Sequence, residues 1–239
     1  MSAYSAGVDM HFPAGYESDD GTTDVPTEDQ VLSTWLPHLG VPLEVLHDSA
    51  RAGAAARDFC TAAHPVWYPA LRATAEVAGE LRGRLMALRW TRNDSKNIAH
   101  IVREDGEVVI VAASGDMNTG VRNSPVHAQT KRRRGRAGVA EIRRNQLVLS
   151  PEFEVLRGDH EEAAVAGPLW YFLFHRDRDL VRTELSLADS VSEDGALIGW
   201  RVRLVLPEIN LLDPPTPDGR RDDGGAPDVD VPVHPRAHG

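Results

Sequence analysis

The chain has 239 residues, 41% of them hydrophobic, and a formal net charge of -10. Such a composition can bury a core, and no stretch reaches the roughly 20 apolar residues of a membrane-spanning helix. Cys60 is the only cysteine, which excludes a disulfide within the chain and fits a reducing cytoplasm.

The net charge conceals a division. Residues 1–30 carry seven acids and no Lys or Arg, and 212–239 carry six Asp against three Arg, which leaves 23 acids and 23 bases between them. The interior of the chain is neutral and the acidity belongs to its ends. Only Lys96 and Lys131 are lysines, so the bases are almost all arginine. The first thirty residues lack the basic and apolar regions of a secretory signal.

Residues 1–27, rich in Gly, Asp, Ser and Thr, read as a disordered acidic tail. Thr27 followed by Gln30 is the pattern of a reciprocal helix cap, and Val31, Leu32, Trp35 and Leu36 supply one apolar stripe. Pro42 suits the start of a second helix over 43–63. Its small residues at 50–56, Gly53 included, would let another helix approach closely. A third helix is predicted over 69–81 from Leu71, Ala75, Ala78 and Leu81.

The period then changes. Residues 85–90 read as a strand, 92–95 as a turn and 97–103 as an alternating strand. Asp105-Gly106 is a hairpin signal, and 108–113 is a continuous apolar strand. Residues 114–136 show no periodicity over 23 positions, and loops of that length inside a compact domain are functional or disordered. A short helix is predicted over 137–145, one or two strands over 146–156, and an acidic connector over 157–166.

The stretch 168–207 is the strongest fold signal. Leu169 to His175 form an apolar and aromatic run suited to a buried strand. Val181, Thr183, Leu185 and Leu187 alternate with polar residues, and Trp200, Val202, Leu204 and Leu206 do the same. That is a three-stranded meander with one apolar face, and it can share a sheet with the meander of 85–113. The reading is a single α+β domain over 28–210, a helical layer on a mainly antiparallel or mixed sheet, followed by a disordered Pro/Asp-rich tail at 211–239.

The clearest chemical signal is basic. Lys131, Arg132, Arg133, Arg134, Arg136, Arg143 and Arg144, against Glu141 alone, make residues 131–144 carry +6. Clustered guanidinium groups bind phosphate by charge and by paired hydrogen bonds. The leading expectation is therefore a cytoplasmic binding module whose arginine-rich loop engages nucleic acid, within a larger complex or alone. No aromatic residues interleave with this cluster.

Two alternatives come from other classes. A metal-dependent nuclease would gather carboxylates and a Lys around Mg²⁺, and Asp94, Lys96, Asp116 and Glu184 are its candidates. Mg²⁺ is the implied cofactor under that reading only. A protein-interaction subunit would instead use the loop and tails on a protein partner. Residues 114–120 form a polar turn after a buried strand but match no phosphate-binding fingerprint. Cys60 and His64 are four apart, without the further ligands a zinc site needs. His100 and His175 read as packed or rim histidines, His47 falls in the second predicted helix, and no membrane partner is implied.

Overall fold

The computed structural model describes residues 12–13, 23–148, 167–192 and 194–213, with the backbone alone at 144–148. The fold is α+β. Thr27 caps α1 (Glu28–Gln30) as its sequence predicts: its hydroxyl accepts from the Gln30 N–H at 3.3 Å, and the Gln30 side chain accepts from the Thr27 N–H at 2.9 Å. The helix continues through a π-helical turn (Val31–Trp35) into α2 (Leu36–Leu39), which ends at Gly40 with φ 70°. A left-handed residue of this kind is the usual helix terminator.

α3 (Leu43–Asp58) and α4 (Tyr68–Met86) pack on one another. Their approach is close because Gly53 has no side chain. A Cβ there would stand 2.3 Å from Val77 Cγ2, closer than atoms can come. α4 is longer than expected, and residues 85–90 are not a strand. The buried stripe of α4 is Ala73, Val77, Leu81 and Leu85, every fourth residue. That period carries the helix past Leu81, whereas Leu71 is exposed.

Seven strands form one sheet among the described residues. β1 (Thr91–Asn93), β2 (His100–Val102) and β3 (Val109–Ser114) make the first meander. The Asp105-Gly106 turn joins β2 to β3, with Gly106 at φ 77°. β4 (Leu169–Asp177), β5 (Leu180–Val191) and β6 (Leu197–Val205) make the second. The short β7 (Ile209–Asn210) pairs with the start of β5. The spatial order β1-β2-β3-β4-β5-β6 joins the meanders through a parallel β3–β4 pair, with every other pair antiparallel. A parallel neighbour needs a crossover, and α5 (Arg136–Val148) lies in it.

The sheet is covered on both faces, which explains why β4 is apolar throughout. Trp170, Phe172 and Phe174 join Leu185, Leu187, Val202 and Leu204 under the helical layer of α3 and α4. Leu169, Tyr171 and Leu173 face the other way, toward Ala128 and Ile142 of α5. One expected face is corrected here. Leu187 pairs with Val202, yet Ala188 pairs with Trp200, so Arg201 is an extra residue in β6. This bulge turns Trp200 onto the second face, where its ring meets Tyr171 edge-on at 5.9 Å.

Further corrections concern the ends. Phe12 and Asp24 are packed, although both fall in the stretch expected to be disordered. Phe12 is buried edge-on against Trp35, and Asp24 exchanges backbone hydrogen bonds with Arg201 and Arg203 of β6. Leu211, in the expected C-terminal tail, also packs on the core, its N–H donating to the Asp179 carbonyl at 2.8 Å. Residues 1–11, 14–22 and 214–239 of the expected tails, and the connector at 157–166, lie outside the described residues. Residues 146–148 belong to α5 rather than to a strand, and 149–156 also lie outside.

Candidate functional site

The expected carboxylate set does not assemble. Asp94 follows β1 in an exposed turn and takes a two-pronged bond from Arg82 of α4 at 2.8 and 2.9 Å. That bond holds its pKa below the usual carboxylate value. Lys96 is exposed at φ 56°. Asp116 closes a turn, its two oxygens accepting from the Asn118 N–H and side-chain amide at 3.0 and 3.2 Å. Glu184 lies on β5, four strand positions from β1, so Asp94 and Glu184 are separated by roughly 19 Å at ordinary strand spacing. No group of three metal-ligating residues occurs among the described residues.

Glu184 is instead the anchor of a buried clamp. It is fully buried and pairs with the equally buried Arg203 at 2.6 Å. It also accepts from the Gly120 N–H and the Ser186 hydroxyl, both at 2.9 Å. Arg203 in turn reaches the Asn118 carbonyl at 3.4 Å. β5 and β6 place the two charges as diagonal neighbours on the second face, Arg203 standing opposite Ser186 two residues from Glu184, and both hold the loop that crosses it. The loop at 114–136 is therefore ordered rather than free. Its ends pair at Gly115 and Thr130, and Trp200 Nε1 donates to the Ala128 carbonyl at 2.7 Å.

This ordering divides the basic stretch. Arg134 turns inward, its guanidinium 5.5 Å from the Tyr171 ring centre. Burial pushes the Tyr171 hydroxyl up to about 12, against the pull of Arg134. Arg133 pairs with Asp194. Arg132, Arg136 and Arg143 are exposed, and none has an ion-pair partner among the described residues. The Arg144 side chain lies outside the described residues. Among the described side chains, Arg132, Arg136 and Arg143 are exposed and unpaired, Arg133 is in an exposed ion pair and Arg134 alone turns inward, so the cluster is not a single patch.

Lys131 belongs to a different place. Its backbone N–H donates to the Ser114 carbonyl at 2.9 Å, so it sits where the parallel strands β3 and β4 end. There the side chain lines a cleft between α3 and α4, opposite Arg57, Ser114 and Arg176. Arg176 is committed to Asp58 and to the Ala54 carbonyl. Ser114 is tied at 2.8 Å to Thr74, whose hydroxyl donates to the Ala70 carbonyl at 2.9 Å. That leaves Arg57 and Lys131 as the free cations of the cleft among the described residues. Burial first, and repulsion from Arg57 second, hold the Lys131 ammonium below its ordinary pKa, with Asp116 offsetting part of this. The enclosed room is about 30 Å³, the share of one water, so a larger anion must sit at the mouth.

Arg57 and Lys131 repel each other at the mouth of the cleft, Asp116 offsets only part of that, and a bound anion would relieve the rest. Sequence reasoning missed Arg57, because it lies 74 positions from Lys131 and only the packing of α3 onto the sheet brings them together. Comparison with family models, curated proteins and solved structures finds no match for the chain. No helix among the described residues is long and apolar enough to cross a membrane.

Proposed function

We propose that the chain is a nucleic-acid-binding module of the cytoplasm, in which Arg132, Arg136 and Arg143, with Arg57 and Lys131, neutralise backbone phosphates. The observation that carries this reading is the clustering of Arg132, Arg136 and Arg143 within one short exposed stretch, none with an ion-pair partner among the described residues. Their position supports it further. Arg136 opens α5, whose first turn has no acid. A cation at a helix N-terminus opposes the helix dipole, typically by 0.3–1 kcal/mol. Fold stability does not account for such a placement, whereas a phosphate ligand reverses its sign.

The test is the salt dependence of binding to a labelled DNA duplex, read by fluorescence anisotropy. Each neutralised phosphate contributes close to 0.9 to the log–log slope on duplex DNA. The triple variant R132A/R136A/R143A, altered only at exposed positions, is expected to flatten the slope by roughly 2.7 units and keep its melting temperature. Absence of binding by the full chain to DNA and RNA at about 50 mM salt, a condition that favours charge-driven association, overturns the reading. The arginines would then face a protein partner.

A further inference from the structure

We propose that the corner joining α3 to α4 is a platform for single-stranded nucleic acid, on which Trp67 and Phe59 stack bases while Arg57 and Lys131 hold the adjoining phosphates. The proposal rests on the nucleic-acid reading above and gives it a substrate form. Trp67 is 56% exposed and Phe59 74% exposed. Large aromatic rings of this exposure need a reason, because burying them is worth more than almost any other side chain.

The corner is built rather than loose. Trp67 stands edge-on to Tyr68 at 6.1 Å, and Tyr68 is stacked with His64 at 4.9 Å and an interplanar angle of 6°. His64 Nδ1 accepts from the Thr61 N–H at 3.0 Å, and the Tyr68 N–H donates to the Pro65 carbonyl at 2.9 Å. The Trp67 ring therefore rests against a Tyr68–His64 stack before any ligand arrives, which lowers the ordering cost of binding there. Phe59 follows Arg57 by two residues at the end of α3, and Trp67 precedes Ala70, which lines the same cleft as Lys131.

Exposed π-faces next to unpaired cations match the chemistry of an unstacked strand, which offers bases and phosphates together. A duplex hides its base faces and can use only the cations. A membrane surface would also take Trp and Arg, and the response of the variants to anionic vesicles separates it from a strand.

The full chain, W67A/F59A, W67F and R57A/K131A are compared by anisotropy on a labelled oligothymidine of about twelve nucleotides and on a duplex, from low to high salt, and by co-sedimentation with anionic vesicles. Removing both rings is expected to weaken oligothymidine binding by on the order of tenfold or more at every salt, with the slope unchanged, because rings release no counterions. Duplex binding stays as in the wild type, and W67F keeps most of the affinity. R57A/K131A flattens the slope. Oligothymidine affinity unaffected by W67A/F59A overturns the platform while the basic-ridge reading stands. So does an equal loss on both ligands, or loss confined to anionic vesicles. A wild type that binds neither nucleic acid overturns both.

Discussion

The two faces of the sheet are held by different physics. On the first face, Trp170, Phe172, Leu185, Leu187 and Leu204 form an apolar contact with the helical layer, and the polar ties to α3 and α4, Arg176–Asp58 and Ser114–Thr74, lie toward the strand ends. On the second, a loop and α5 are fastened by a few directional contacts between buried polar groups. Glu184 bonds Arg203 and Gly120, Trp200 bonds the Ala128 carbonyl, and His100 on β2 meets Glu141 on α5 at 3.0 Å. Apolar contact is non-directional and tolerates several arrangements of comparable volume. Buried polar contacts cost stability when broken and set one conformation. The first face supplies cohesion, and the second sets where the cations of the 114–143 segment point.

The largest effects should come from breaking each fastening once. Glu184→Ala leaves the Arg203 guanidinium buried without its carboxylate and should cost about 3–5 kcal/mol. Leu185→Ala, one residue along on the opposite face, should cost about 2–5 kcal/mol through a cavity and lost burial. Chemical denaturation measures both. The qualitative difference lies in rescue, since the apolar site has no partner charge to remove. A Leu185→Ala loss that vanishes, or a Glu184→Ala loss under about 1 kcal/mol, would deny the contrast between the faces.

A sharper version removes the pair as a whole. The double variant Glu184→Leu/Arg203→Met replaces two charges by apolar side chains of similar size, an exchange often neutral or stabilising. The melting temperature should return close to that of the wild type. The Gly120 N–H, however, loses its acceptor, so trypsin should cut between Lys131 and Arg136 faster than in the wild type. Equal protection in the two proteins would mean that Trp200 and the Gly115–Thr130 pairing hold the loop unaided.

The same contrast explains what could be read from sequence. The first face was legible because periodicity reports it: Leu185 and Leu204 fall on the expected stripe, and Gly53 marks the close helix approach. The Thr27 cap was legible because it is local. The second face was not, because its defining contacts join residues far apart with no local signature. Arg203 alternates with apolar residues like any solvent-facing arginine, and only the register Ser186–Arg203 brings it beside Glu184. The bulge at Arg201 leaves no trace in composition, so Trp200 was assigned to the wrong face. Lys131 reads as one more base in a run, although packing separates it from Arg134 and sets it against Arg57.

The smallest expected effect is a pH dependence shared by both sides of the sheet. His47 on α3 is held below its ordinary pKa first by burial and then by Arg51, with the Pro207 backbone and nearby acids opposing. Its Nε2 is buried and forms no hydrogen bond among the described residues, so burial outweighs the support that the Pro207 backbone gives the charged ring. His175, at the end of β4, is lowered first by burial, with its bond to the Gly115 carbonyl opposing. For both, the folded pKa lies below the unfolded value of about 6.5. Between those two values the unfolded chain binds more protons than the folded one, so stability falls as pH drops from about 6.5 and levels off below the folded values. Above about 6.5 both states are neutral and these two groups add no slope. Melting temperatures of the wild type and of His47→Gln, followed from pH 7.5 downward, should diverge below about 6.5, with the variant losing less. Parallel curves would mean that His47 takes up its proton in the folded chain as readily as in the unfolded one, and that the buried Nε2 finds an acceptor when charged.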